Sequence, residues 1–253
     1  MGVYGLVYRF VRVVVRLGLV VVLVACSAGP GQEEVSVRPT VERTLVPPEL
    51  TVCGVVTASQ ISEVLHQDII RYIYSNKTVA PKDANPTPEY TCSIKLDEGE
   101  YSWVRITYQS GSGRLAGSFL KRSDVTKHTT YEDIAAEDSA QPLLLDGIDG
   151  QGVTVQDTDG YASGAAWRYP DGNVLTIGID ATEDGPRDNP DDVKAAADLA
   201  QKVVLAVPDL AAAGDSQGEW LEYSGAQYVN GTPAAELNRT PTPTPTPIST
   251  LTP

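Results

Sequence analysis

The sequence predicts an α+β fold in which an antiparallel sheet packs against an N-terminal and a C-terminal helix, tied by one disulfide. Two amphipathic helical patterns near the ends of residues 50–208, with runs of period-2 alternation between them, carry that expectation. The third observation is a cysteine pair, Cys53 and Cys92, placed before the first helical pattern and after the loop that follows it.

The first helix starts at Thr57, whose hydroxyl can cap it while Gln60 three residues on reaches back, a capping box. Ile61, Val64, Leu65 and Ile69 then recur at helical spacing, so the helix is expected to run on to just before Ser75 and Asn76. Pro81, Pro86 and Pro88 make the next stretch a loop. Residues 92–96 alternate as a strand, and 103–108 place Val104, Ile106 and Tyr108 on one face, with 97–100 as the turn between them. A short helix or loop is expected over 115–121, and 152–156 reads as a further strand. Residues 164–169 and 174–179 form a second hairpin around Pro170, Asp171, Gly172 and Asn173, whose proline and glycine supply the turn dihedrals.

The closing helix covers 193–207, capped by Asp191 or Asp192 and bounded by Pro190 and Pro208. Its apolar stripe is Ala196, Leu199, Ala200, Val203 and Val204. Trp103, Trp167 and Tyr169 fall on strands and are expected in the core. Trp220, Tyr223 and Tyr228 lie beyond Pro208, either packed as an extra edge strand or displayed as a ligand-contacting patch, with packing favoured.

The first 25 residues read as an export signal: Arg9, Arg12 and Arg16 precede a short apolar run over 17–24. That run falls short of the roughly 20 apolar residues a spanning helix needs. It ends in Leu23, Val24, Ala25 and Cys26, followed by Ser27, Ala28 and Gly29. This resembles the lipobox of bacterial lipoproteins, and an ordinary secretory signal with a chance cysteine is the competing reading. The resemblance implies cleavage before Cys26, lipid on its sulfur, and a mature protein held at the outer face of the cell membrane. Each buried CH₂ contributes about 0.8 kcal/mol, so two or three acyl chains anchor far more firmly than one.

Loss of residues 1–25 removes three of the 19 basic residues and none of the 33 acidic ones, leaving 16 against 33, net −17. Such a surface repels phosphate backbones, so nucleic acid is not an expected partner. With Cys26 assigned to lipid, Cys53 and Cys92 are the remaining cysteines, one pair on an oxidising side of the membrane. A disulfide there closes a loop of about 40 residues and stabilises by roughly 4 kcal/mol in the chain-entropy model. Two thiols with no nearby histidine are too few for a metal site. Residues 26–49, rich in proline and polar groups, read as a tether, and 209–239 as an irregular extension. The Thr-Pro alternation within 240–253 reads as a disordered, extended tail, either a solvated spacer or an acceptor of O-linked sugar. Asn76, Asn230 and Asn238 begin N-glycosylation patterns, which a bacterial lipobox makes irrelevant.

Cys53, the helix start over 57–65, Cys92 and the 164–179 hairpin resemble the small secreted lipoproteins of actinobacteria that share a domain of unknown function. That resemblance spans roughly residues 50–208. It implies location and fold and brings no catalytic residue or cofactor.

Chemistry is thin in the sequence. His66 and His128 are the two histidines, and His66 sits beside the apolar helix face as a surface or boundary residue. Neither a Gly-x-Ser-x-Gly elbow, a phosphate loop nor a His-Glu-x-x-His pair occurs. Asp146, Asp149, Asp157 and Asp159 with their glycines lack the spacing and closing Glu of a calcium loop, and read as turns. Residues 180–190 read as a solvated linker. No catalytic, metal or cofactor site is assigned. The expectation is a membrane-anchored, non-catalytic module that binds an envelope protein, glycan or small ligand. The alternative is an envelope hydrolase built on two carboxylates.

Overall fold

The sheet is built from local signals that each make one strand and from long-range pairings that join them. A computed structural model describes residues 42–80, 86–99, 101–111, 115, 130–156, 162–181 and 190–237. Cys26, His128, Asp157, Asp159, Asn238 and the Thr-Pro tail lie outside the described residues, as do the signal peptide, most of the tether, most of 115–121 and most of the 180–190 linker. Among the described residues no helix is long and apolar enough to cross a membrane.

A small hairpin opens the domain. β1 (Thr51–Val52) pairs antiparallel with β2 (Val56–Thr57), and both Cys53 and Gly54 at its tip have positive φ, the signature of a type I′ turn. Thr57 then caps α1 (Ala58–Leu65) through the expected box: its hydroxyl accepts from Gln60 N at 3.3 Å while Gln60 Oε1 accepts from Thr57 N at 3.0 Å. The helix is shorter than its periodicity suggests. His66 turns left-handed at φ 54° and ends it, and Ile69–Val79 is the strand β3. Ile69 continued the 3.6 spacing by coincidence; the run Ile69, Ile70, Tyr72, Ile73 and Tyr74 is β-branched and aromatic, the composition of a pleated surface.

β3, β4 (Thr87–Leu96) and β5 (Tyr101–Ser110) form a meander. Pro88 belongs to β4 rather than to a loop, tolerated because it stands at the strand's start. Cys92 therefore lies in the second long strand, not the first. After β5 come α2 (Tyr131–Ala135), β6 (Gln141–Leu143) and β7 (Gln151–Gln156), of which only β7 was expected. β8 (Ala162–Arg168) and β9 (Asn173–Ala181) are the expected second hairpin, its turn closed by Tyr169 N to Asn173 O at 2.9 Å with Gly172 at φ 85°.

The closing helix divides. α3 (Pro190–Val203) starts on Pro190 itself, a favoured first position, with Asp191 and Asp192 in its first turn. α4 (Ala206–Ala212) follows, and Pro208 sits in its first turn, where no intrahelical N–H is required, so it does not act as a stop. The region 209–239, expected to be irregular, instead supplies β10 (Ser216–Leu221), β11 (Ala226–Val229), β12 (Thr232–Pro233) and α5 (Ala234–Leu237). The result is a ten-stranded antiparallel sheet in the order β12-β11-β10-β3-β4-β5-β9-β8-β7-β6.

Register divides the sheet into two faces. Tyr72, Ile94, Val104 and Ile179 stand in one cross-strand row of the inner face and belong to the main core, together with Ile61, Leu65, Leu199, Val203 and Val207. α3 lies against β7, β8 and β9, α4 against β3, β4 and β5, and α1 makes its contacts with β2 and α3. On the outer face Val155, Ala162, Ala166 and Val174 form a second cluster with Tyr131 and Ile134 of α2, and the Arg168 guanidinium lies 4.5 Å over the Tyr131 ring. Burial pushes the Tyr72 hydroxyl up to about 12, and it also raises that of Tyr90 well above the ordinary tyrosine range. Both remain neutral: Tyr90 donates to Cys53 O at 3.0 Å, and Tyr72 accepts from Gln227 Nε2 at 2.9 Å.

Candidate functional site

Cys53 and Cys92 form the expected disulfide, with Cα atoms 6.0 Å apart. It fastens the tip of the β1–β2 hairpin to the inner face of β4 and is fully buried. It holds the start of α1 on the sheet; His66 ends the helix, and a cleft opens at that end.

The cleft encloses about 520 Å³ between the last turn of α1, the β4–β5 turn and the first turns of α3. Leu65, His66, Gln67, Glu98, Lys194 and Asp198 contribute to its walls. A shallower groove of about 400 Å³ shares Val64, His66, Lys194 and Asp198 and extends along α1 and α3 toward Lys202.

Its frame is braced by one amide. Gln67 Oε1 accepts from Tyr101 N at 2.7 Å, and its Nε2 donates to Tyr101 O and Asp97 O, each at 3.0 Å. All three bonds link the segment after α1 to the β4–β5 turn. Gly99 is required beside it, since a Cβ there would stand 2.4 Å from the Gln67 amide. The third wall is tied by the Tyr101 hydroxyl, which donates to Asp192 Oδ1 at 2.7 Å in a buried contact. Replacing Gln67 by Ala leaves three backbone groups of the turn to find other partners. At about 1 kcal/mol per net hydrogen bond, a loss of roughly 2–3 kcal/mol is expected from denaturant unfolding, with faster amide exchange at Tyr101. An unchanged Tyr101 amide would contradict this reading of the brace.

The charged groups of the cleft are largely engaged. Glu98 lies 3.6 Å from Arg43, and Arg43 also meets Asp97 at 3.4 Å. Asp198 pairs with Lys194 one helical turn away, and Asp191 adds its field. The Asp198 hydrogen bond and charge hold the Lys194 ammonium above its ordinary range. These pairs face water and contribute little to stability; what they provide is an arrangement of both charge signs around a preformed hollow. Such a surface can hold a small polar molecule by orientation, with apolar contact from Val64, Leu65 and Ala195.

Other sequence expectations fall elsewhere. His66 is exposed, as a surface residue, and its position as the left-handed end of α1 places it at the cleft mouth. Trp167 is buried in the core, and Tyr169 packs edge-on against Tyr108 with ring centroids 5.6 Å apart. Trp103 departs from expectation: it is half-buried on the outer face, because core residues Ile94 and Val104 define the opposite one. Trp220 is buried on β10, Tyr228 half-buried on β11, and Tyr223 62% exposed between them, so the trio forms neither one patch nor one packed group. Asp146 uses its backbone N–H, bonded to Gln201 Oε1 at 3.2 Å. Asn76 is buried, its amide donating to Leu210 O at 3.1 Å and to Gly214 O, so it closes the end of α4. Among the described residues no three metal-ligating side chains cluster. Sequence reasoning missed Gln67, Tyr101 and Lys194 as site residues; the i,i+4 pair Lys194 and Asp198 was the one local signal for them.

Comparison with protein-family models, curated proteins and solved structures found no match.

Proposed function

We propose that this chain is a lipoprotein of the cell envelope, cut before Cys26 and anchored through lipid on that cysteine. In this reading its folded domain is a non-catalytic binding module of the type shared by the actinobacterial lipoproteins it resembles. α1 and α3 serve as one helical layer over the sheet, and the cleft between them takes a small polar ligand of the envelope. The observation that carries the binding cleft is its brace: Gln67, Tyr101 and Asp192 tie its three walls together through their own hydrogen bonds. A hollow that is already rigid loses little conformational entropy on binding. The anchor accounts for location, and the net charge of −17 after cleavage holds the domain off an anionic membrane on its tether.

Amide shift mapping with pooled sugars, amino acids and short peptides tests the cleft. The expected result is perturbation at His66, Gln67, Gly99 and Lys194, abolished by Lys194→Trp, which fills the hollow from an exposed position. Perturbation confined to other regions would overturn the assignment. One observation favours a hydrolase as the second reading: Glu98, Asp191 and Asp198 bring carboxylates from two elements to one cleft. Turnover of a glycoside that is lost in both Glu98→Gln and Asp191→Asn would replace binding with that reading.

A further inference from the structure

The outer face of the sheet carries a small groove over β3, β10 and β11 that the cleft does not use. Tyr228 of β11, Glu219 of β10 and Ile73 of β3 stand opposite one another in one cross-strand row. Ile73 is 48% exposed, and Glu219 and Tyr228 are half-buried. With Gln217, Gly218 and Gly231 they line a hollow of about 110 Å³. Its end wall is fixed by the turn between β11 and β12: Asn230 N donates to Gln217 O at 2.8 Å, and Asn230 Oδ1 accepts from Gln217 N at 2.9 Å.

The carboxylate in this groove is unmatched. Around it on the sheet, Glu89 meets Lys77 at 3.3 Å, Glu222 meets Lys95 at 3.5 Å, and Asp180 pairs with Arg105. Glu219 has no such cation among the described residues. Arg71, two residues before Ile73 on β3, lies beyond ion-pair distance of it. A half-buried carboxylate has given up part of its hydration, and a bound cation with hydrogen-bond donors replaces it.

We propose that this groove receives a lysine side chain of a peptide, with the ammonium on Glu219 and the methylenes along Ile73 and Tyr228. A cavity of about 150 Å³ holds one benzene, so this smaller hollow takes a single side chain and the rest of the ligand lies outside it. Lysine lays its stem on apolar surface while its charged end stays near water. Its ammonium has three N–H donors, and the two Glu219 carboxylate oxygens with the Gln217 amide oxygen offer three acceptors. A guanidinium brings five donors and leaves two of them over. A tyrosine ring beside the hollow adds attraction for a cation over its face. The chain's 33 acidic residues against 19 basic ones draw a cationic peptide in preference to an anionic one.

Titration of the full folded chain with N-acetyl-Ala-Lys-Ala-amide, followed by the backbone amide shifts of Ile73, Glu219 and Tyr228, tests this. Saturable shifts are expected there. Glu219→Gln is expected to weaken binding about tenfold or more, the loss of a charge-assisted hydrogen bond. Norleucine in place of the peptide lysine is expected to abolish binding, arginine in its place to weaken it, and free cadaverine to bind more weakly than the peptide. Arg71→Gln removes a neighbouring cation and is expected not to weaken binding. Lys194→Trp is expected to leave it unchanged, so failure here and failure of the cleft reading are separable. Thermal unfolding of each variant shows whether it is folded. Absent shifts at the groove, binding that survives Glu219→Gln in a folded protein, weaker binding in Arg71→Gln, or equal binding of the norleucine peptide, the arginine peptide or cadaverine would each overturn the proposal.

Discussion

A chain carrying Cys53→Ala and Cys92→Ala is expected to unfold about 4 kcal/mol more readily than the parent. The disulfide joins residues 39 apart, and in the chain-entropy model a loop of that length restricts the unfolded ensemble by about this amount. The folded state is otherwise little changed: the left-handed φ of 57° at Cys53 costs cysteine and alanine alike, and the carbonyl that accepts the buried Tyr90 hydroxyl belongs to the backbone. For a domain of this size each kcal/mol corresponds to roughly 2–4 °C in Tm, so a drop of about 8–16 °C is expected by calorimetry. Reducing the parent protein under denaturing conditions should reproduce most of it. A shift below about 2 °C in both experiments would mean that packing alone holds the β1–β2 tip on the sheet.

Leu199→Ala is expected to cost about 2–5 kcal/mol, the range for truncating a buried leucine where neighbours collapse incompletely. Leu199 is 1% exposed at the centre of the α3 stripe, with Ala196, Ala200 and Val203 around it and the small residues of β8 beneath. Alanines on both surfaces bring helix and sheet close, so the backbones cannot move nearer to fill the gap. Exposed Leu205 provides the control, since Leu205→Ala in the same assay should change stability by less than about 0.5 kcal/mol. Equal effects at both positions would contradict the packing of α3 on the sheet.

What could be read from the sequence was local. The Thr57–Gln60 box and the 170–173 turn are specified by neighbours in the chain, and both form as expected. The end of α1 was not legible, because His66 leaves the helix through a left-handed residue that is not glycine, while Ile69 prolongs the apolar spacing past it. Beyond β3 and β6, the strands β10, β11 and β12 were legible at most as one extra edge strand, for another reason. β10 pairs with β3 across about 140 residues, as in the Ser216 to Asn76 hydrogen bond, and its alternation is weakened by Gly218, where a Cβ would stand 2.5 Å from the Tyr74 ring. Neither pattern nor composition reports such a pairing.

The candidate cleft was illegible for the same physical reason. It draws on segments near 65, 98 and 194, each ordinary in its own neighbourhood. The same alternation that identified β5 did contain the outward position of Trp103, since it lies one residue from Val104; the general expectation that tryptophan is buried overrode it.

The proposal of a lipid-anchored module is tested most directly by the intact mass of the native protein from its membrane fraction, measured with and without reductant. The account predicts a chain beginning at Cys26, heavier than its sequence by two or three acyl chains and their glycerol, that gains two hydrogen masses on reduction. An unlipidated chain, or one that still carries residues 1–25, would contradict the anchor and the envelope function built on it.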